Sequence, residues 1–173
     1  AGGQGAPLVP VYHRALAEAS GAILPMLFVN IGGVANYTWL GEGDAIEAAD
    51  CGPGNALIDD WMMAHSGVAH DDGGATAARG KVDEAVLTAL LTHDYFGLPP
   101  PKSLDRNAFR HWVAEEGRLA GKSIEDGAAT LTAITAASDR PWGRRPAART
   151  GDVEPEMVAF ALTSLLDAAS AGR

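Results

Sequence analysis

Short apolar runs bounded by glycine dominate the first third of the chain, and helically spaced apolar residues dominate the rest. Residues 26–31 and 35–40 have strand length and flank Gly32-Gly33-Val34, which predicts two strands meeting at a turn. Gly41-Glu42-Gly43-Asp44 has turn chemistry, and 45–49 predicts a third strand. Upstream, 12–19 predicts a short helix stopped by Gly21. Downstream, Leu57, Ile58, Trp61 and Met62 fall on one helical face and Asp59 and Asp60 on the other. Helices are also predicted over 81–91, 108–119 and 155–168, and over a stretch ending near Ser138 that Ser123 and Asp126 open as a capping box. Residues 65–80 read as a polar, glycine-rich surface loop. Pro99, Pro100 and Pro101 exclude helix, so Lys102, Ser103 and Arg106 are expected on a stiff, extended loop.

These elements make one α/β domain, and 173 residues with 47% hydrophobic content give it enough chain for a core. Its organisation divides at a change of character. Residues 1–138 carry the periodic elements, 139–150 form a basic, proline-bearing join without apolar period, and 151–173 hold the last helix. The formal charge of −9 argues against a general nucleic-acid binder, so a phosphorylated ligand would need backbone donors and a few placed cations. Cys51 is the only cysteine, which excludes an intrachain disulfide and a cysteine-based zinc site. No run reaches membrane-span length and the start lacks signal-peptide features, so the expected location is the cytoplasm.

The candidate chemistry lies in two glycine motifs, Asn30-Ile31-Gly32-Gly33-Val34-Ala35-Asn36 and Asp50-Cys51-Gly52-Pro53-Gly54-Asn55. Gly32 and Gly33 can take positive φ and leave N–H groups facing an anion. Asn55 reads as the N-cap of the following helix, whose N–H groups and dipole could face the same ligand, so both motifs are expected to line one pocket. Ordinary hairpin geometry explains the same spacing. Lys102 and Arg106 suit an anionic ligand or simple solvation, and Glu156 in a helix first turn is also explained by the dipole. His13, His65, His70, His93 and His111 have no metal-ligand spacing and read as surface or packing residues.

Taken together with Gly2-Gly3-Gln4-Gly5-Ala6-Pro7-Leu8-Val9-Pro10 and Pro100-Pro101-Lys102-Ser103 followed by Arg106 and Phe109, the two motifs resemble the anhydro-N-acetylmuramic acid kinase family, in the family's order through about Ser138. The resemblance implies a partial second lobe of an actin-like (RNase H-like) ATPase fold. It implies an ATP- and Mg²⁺-dependent kinase that opens an anhydro amino sugar with water and phosphorylates it, in cell-wall recycling, as a homodimer; association through an apolar face left exposed without the first lobe is the alternative expectation, with no nucleic-acid or membrane partner. By resemblance, Gly32, Gly33 and Asn36 would bind nucleotide phosphate. Asp50, Gly52, Gly54, Asn55, Lys102, Ser103 and Arg106 would line the cleft or substrate loop, and Glu156 would face the active site. The family's first lobe and general-base aspartate would lie upstream of Ala1, and its adenosine loop where 139–150 stands. These 173 residues alone are therefore expected to give no turnover, and the alternative is an inactive remnant or binding module needing a separate first lobe. Cys51 replaces the family's usual threonine.

Overall fold

The computed structural model describes residues 9–115 and 119–138. Helix α1 (Val9–Ser20) leads into an antiparallel sheet of β1 (Met26–Ile31), β2 (Val34–Leu40) and β3 (Ile46–Pro53), in that spatial order. Helices α2 (Ala56–Ser66), α3 (Glu84–Leu91), α4 (Asp94–Gly97), α5 (Arg106–Glu115) and α6 (Ile124–Ser138) follow. This is the α/β arrangement expected from the apolar pattern.

The sheet is covered differently on its two faces because its side chains alternate. Phe28 and Leu40 pack with Ala17 of α1 on one face, and Ala35, Tyr37, Ala49 and Cys51 cluster on the other. His13 of α1 is buried and its ring stacks on Phe28, with centroids 4.3 Å apart and planes 4° from parallel. Burial pushes its pKa below the ordinary 6.5. A second core joins Leu57, Leu90, Tyr95, Phe109, Leu131 and Ile134, so α6 is the strut against which the other helices lean. Trp61 lies on Gly127, where a larger residue would collide with the indole, and its Nε1 donates to Ile124 O at 2.9 Å.

Several boundaries differ from the sequence reading: α1 starts at Val9 and not at residue 12, and α5 spans Arg106–Glu115 where the spacing predicts 108–119. Strand β3 does not stop at Ala49 but runs through Pro53, because a bulge between Ala35 and Asn36 lets Asp50 pair with Asn36 and Gly52 with Ala35. Helix α3 begins at Glu84, where the Asp83 side chain accepts from the Ala85 and Val86 N–H groups and pairs with Lys122. The stretch 95–106 is not all extended: α4 covers its start, and Arg106 opens α5. Ser123 Oγ does accept from Asp126 N at 3.1 Å, but Asp126 reaches Lys81 N at 2.8 Å instead of closing the box.

Candidate functional site

The two glycine motifs meet, and they do so by bonding to each other. Gly54 N donates to Gly33 O at 3.1 Å, and Asn55 N donates to Gly32 O at 2.8 Å. The second motif therefore uses those N–H groups to hold the first turn and does not offer them to a ligand. The close approach explains Gly54, since a Cβ there would overlap Gly32 O and stand 3.2 Å from Ala35 N. Gly52 is similarly confined, with its Cβ position 2.6 Å from Ser138 Oγ and 3.0 Å from the Phe96 ring. Thr135 Oγ1 completes the anchorage by donating to Gly54 O at 3.2 Å.

Two other expectations change. Neither Gly32 nor Gly33 has positive φ, so their value is the absent side chain and not left-handed backbone. Asn55 precedes α2 in helical conformation without a side-chain cap; its carbonyl accepts from Asp59 N at 2.9 Å, and the residue is exposed. The first-turn N–H groups of Ala56, Leu57 and Ile58 thus lack that cap at the positive end of an 11-residue helix. A Cβ at Gly33 would lie 3.6 Å from Ala56 Cβ and 4.0 Å from Asn55 Oδ1, so the turn abuts this helix end. With the turn carbonyls engaged by Gly54 and Asn55, the Gly32 and Gly33 N–H groups make no turn hydrogen bond among the described residues. The Gly32-Gly33 turn and the start of α2 are therefore neighbours.

The polar residues form a row across the sheet beside it. Asn30 is opposite Asn36, and Asn36 is opposite Asp50. Asp50 lies at the strand edge that receives the proline loop: its N–H donates to Lys102 O at 3.0 Å and its Oδ2 accepts from Leu104 N at 2.7 Å. The Lys102 ammonium turns inward to Tyr95 O at 3.0 Å, and Ser103 is exposed between the two anchored residues. Arg106 is separate from this row; its guanidinium stands 3.8 Å from Asp60, which Arg110 approaches to 3.2 Å. Neighbouring Asp59 has its pKa raised by burial, opposed by His70 and Arg106 and reinforced by Asp60. Glu156 and the segments 139–150 and 151–173 lie outside the described residues.

Among the described residues, no group of three His, Cys, Asp or Glu side chains could hold a metal ion. No helix among them is long and apolar enough to cross a membrane. Sequence reasoning missed Tyr95, which ties the proline loop to β3, and Thr135, which anchors Gly54. Tyr95 carried one available signal, an aromatic with a polar tip just ahead of three prolines.

These features define an α/β unit in which a glycine turn abuts a helix N-terminus. A profile described as anhydro-N-acetylmuramic acid kinase matches residues 1–140, and the chain belongs to that family. It is 59% identical over 136 residues to the anhydro-N-acetylmuramic acid kinase of Azorhizobium caulinodans, covering 79% of this chain and 37% of that protein. With the kinase of the same description from Rhodospirillum rubrum it shares 56% identity over 153 residues, 86% of this chain and 39% of that protein. The chain thus spans well under half the length of these relatives.

Proposed function

We propose that this chain supplies one wall of an ATP-dependent kinase acting on anhydro-N-acetylmuramic acid, within the second lobe of an actin-like fold. The observation that supports the reading is the mutual bonding of the two glycine motifs, which holds the Gly32-Gly33 turn against the α2 N-terminus. In the proposed reaction water adds at the anomeric carbon, the bond from that carbon to the bridging oxygen breaks, and the released oxygen accepts the γ-phosphoryl of ATP. The products are ADP, a proton and N-acetylmuramic acid 6-phosphate, consistent with a step in cell-wall recycling. Phosphoryl transfer asks the protein mainly for positioning and for donors on the phosphate oxygens, and the turn and α2 are suited to both. Asn36 and Asp50 would present polar side chains to the same cleft. No step is assigned to Mg²⁺, which would neutralise phosphate charge when it arrives with the nucleotide. A homodimer in the cytoplasm belongs to the same proposal.

The alternative reading is a sugar- or nucleotide-binding module that transfers no phosphate. One experiment tests the first reading. Residues 1–138 are grafted into the Azorhizobium kinase in place of the matching segment, and the graft is incubated with anhydro-N-acetylmuramic acid and Mg-ATP. The expected result is N-acetylmuramic acid 6-phosphate at a rate within about tenfold of the parent, a barrier change near 1.4 kcal/mol. A folded graft that binds the sugar or ATP without forming product would overturn the kinase reading and leave the binding-module reading in place.

A further inference from the structure

Lys102 is the one cation of the proline loop whose ammonium is turned into the protein. Its Nζ donates to Tyr95 O at 3.0 Å and lies 4.3 Å from the centroid of the Tyr95 ring. That carbonyl belongs to α4 and also accepts from Leu98 N at 3.2 Å. The Tyr95 hydroxyl, in turn, donates to Asp50 O at 2.8 Å, and Tyr95 is only 7% exposed. Asp50 closes the circuit by donating its N–H to Lys102 O and accepting from Leu104 N through its carboxylate. Three residues separated by 45 and 7 positions along the chain therefore form a closed clasp.

We propose that Lys102 is a positioning residue: acting through Tyr95 and Asp50, it fixes 102–104 along β3, and it does not itself contact the anionic ligand. Its consequence for catalysis rests on the kinase reading, while the clasp itself does not. The chemistry favours this role over a phosphate contact. An ammonium that donates to Tyr95 O and sits on the aromatic face is partly desolvated and already paired, and reaching outward would remove both interactions at once. The clasp acts on Asp50, which lies opposite Asn36 in the polar row, and on Ser103, which stands between the two backbone anchors. Removing the ammonium should therefore disturb the placement of groups at the cleft edge and leave the charge facing the ligand unchanged.

The test uses Lys102→Met, which keeps the alkyl stem, and Tyr95→Phe, which removes one oxygen and keeps the ring. In the chain itself, amide hydrogen exchange at Leu104 and Asp50 is expected to accelerate about tenfold in each variant, and no further in the double variant, as for one cooperative local opening. In the graft described above, kcat is expected to fall about tenfold while KM for ATP and for the sugar stays within about twofold. A tenfold rise in either KM in Lys102→Met, with Leu104 still protected, would overturn the proposal in favour of direct ligand contact. Unchanged exchange in both variants would also overturn it. Should Lys102→Met fail to fold, Tyr95→Phe decides the exchange arm. Loss of product in the unsubstituted graft would count against the kinase reading alone, since the exchange arm still decides whether the clasp exists.

Discussion

Gly54→Ala is expected to lower stability by about 3 kcal/mol, a fall in Tm of roughly 10 °C for a chain of this size. The added carbon would overlap Gly32 O and press on Ala35 N, and the obstruction is backbone on both counts. A flexible side chain could swing aside; a β-turn carbonyl that already accepts from Asn55 N cannot move without breaking that bond. The damage should spread to α6, because Gly54 O is held by Thr135. Gly97→Ala serves as the control. Its Cβ position has nothing within 4 Å, and its φ is not positive, so the same added methyl should be nearly neutral. Thermal melts of the two variants, compared under identical conditions, check this.

Gly33→Ala has the opposite expected signature, a fold that survives and an activity that does not. Its Cβ would meet Ala56 Cβ at 3.6 Å, an ordinary van der Waals distance, so the turn can accommodate it. The new methyl nevertheless stands between the turn N–H groups and the first turn of α2, where the transferred phosphate is proposed to sit. Blocking the approach to one preorganised donor is expected to cost as much as removing it, on the order of 10²-fold in kcat. The grafted kinase carrying Gly33→Ala should therefore melt close to the unsubstituted graft and turn over about 10²-fold more slowly. Equal losses of stability and rate would mean that Gly33, like Gly54, is there for packing.

These two glycines show how far the residues alone could be read. The turn was legible because residues 26–31 and 35–40 have the composition of strands and Gly32-Gly33 interrupts them, a local pattern. What each glycine does was not, because the atoms that Gly54 must avoid lie some twenty positions upstream and those confining Gly52 belong to Ser138 and Phe96. Asp50-Cys51-Gly52-Pro53 has the composition of a loop, yet the bulge opposite Ala35 and Asn36 makes it strand. Periodicity placed α2 correctly, since Leu57 and Met62 are buried and Trp61 packs inward on Gly127. The character of Lys102 was the least legible. A lysine after three prolines reads as an outward charge until Tyr95 and Asp50 are brought to it by the fold.

The central claim is that the Gly32-Gly33 turn and the α2 N-terminus together hold the phosphates of the nucleotide. Amide hydrogen exchange of the grafted kinase, with and without a non-hydrolysable ATP analogue and Mg²⁺, tests it most directly. Protection should appear at Gly32, Gly33 and the first-turn amides Ala56 to Ile58, with little change at Gly54 and Asn55, whose N–H groups are already bonded within the site. Nucleotide binding that protects other amides and leaves Gly32 and Gly33 exchanging as before would contradict it.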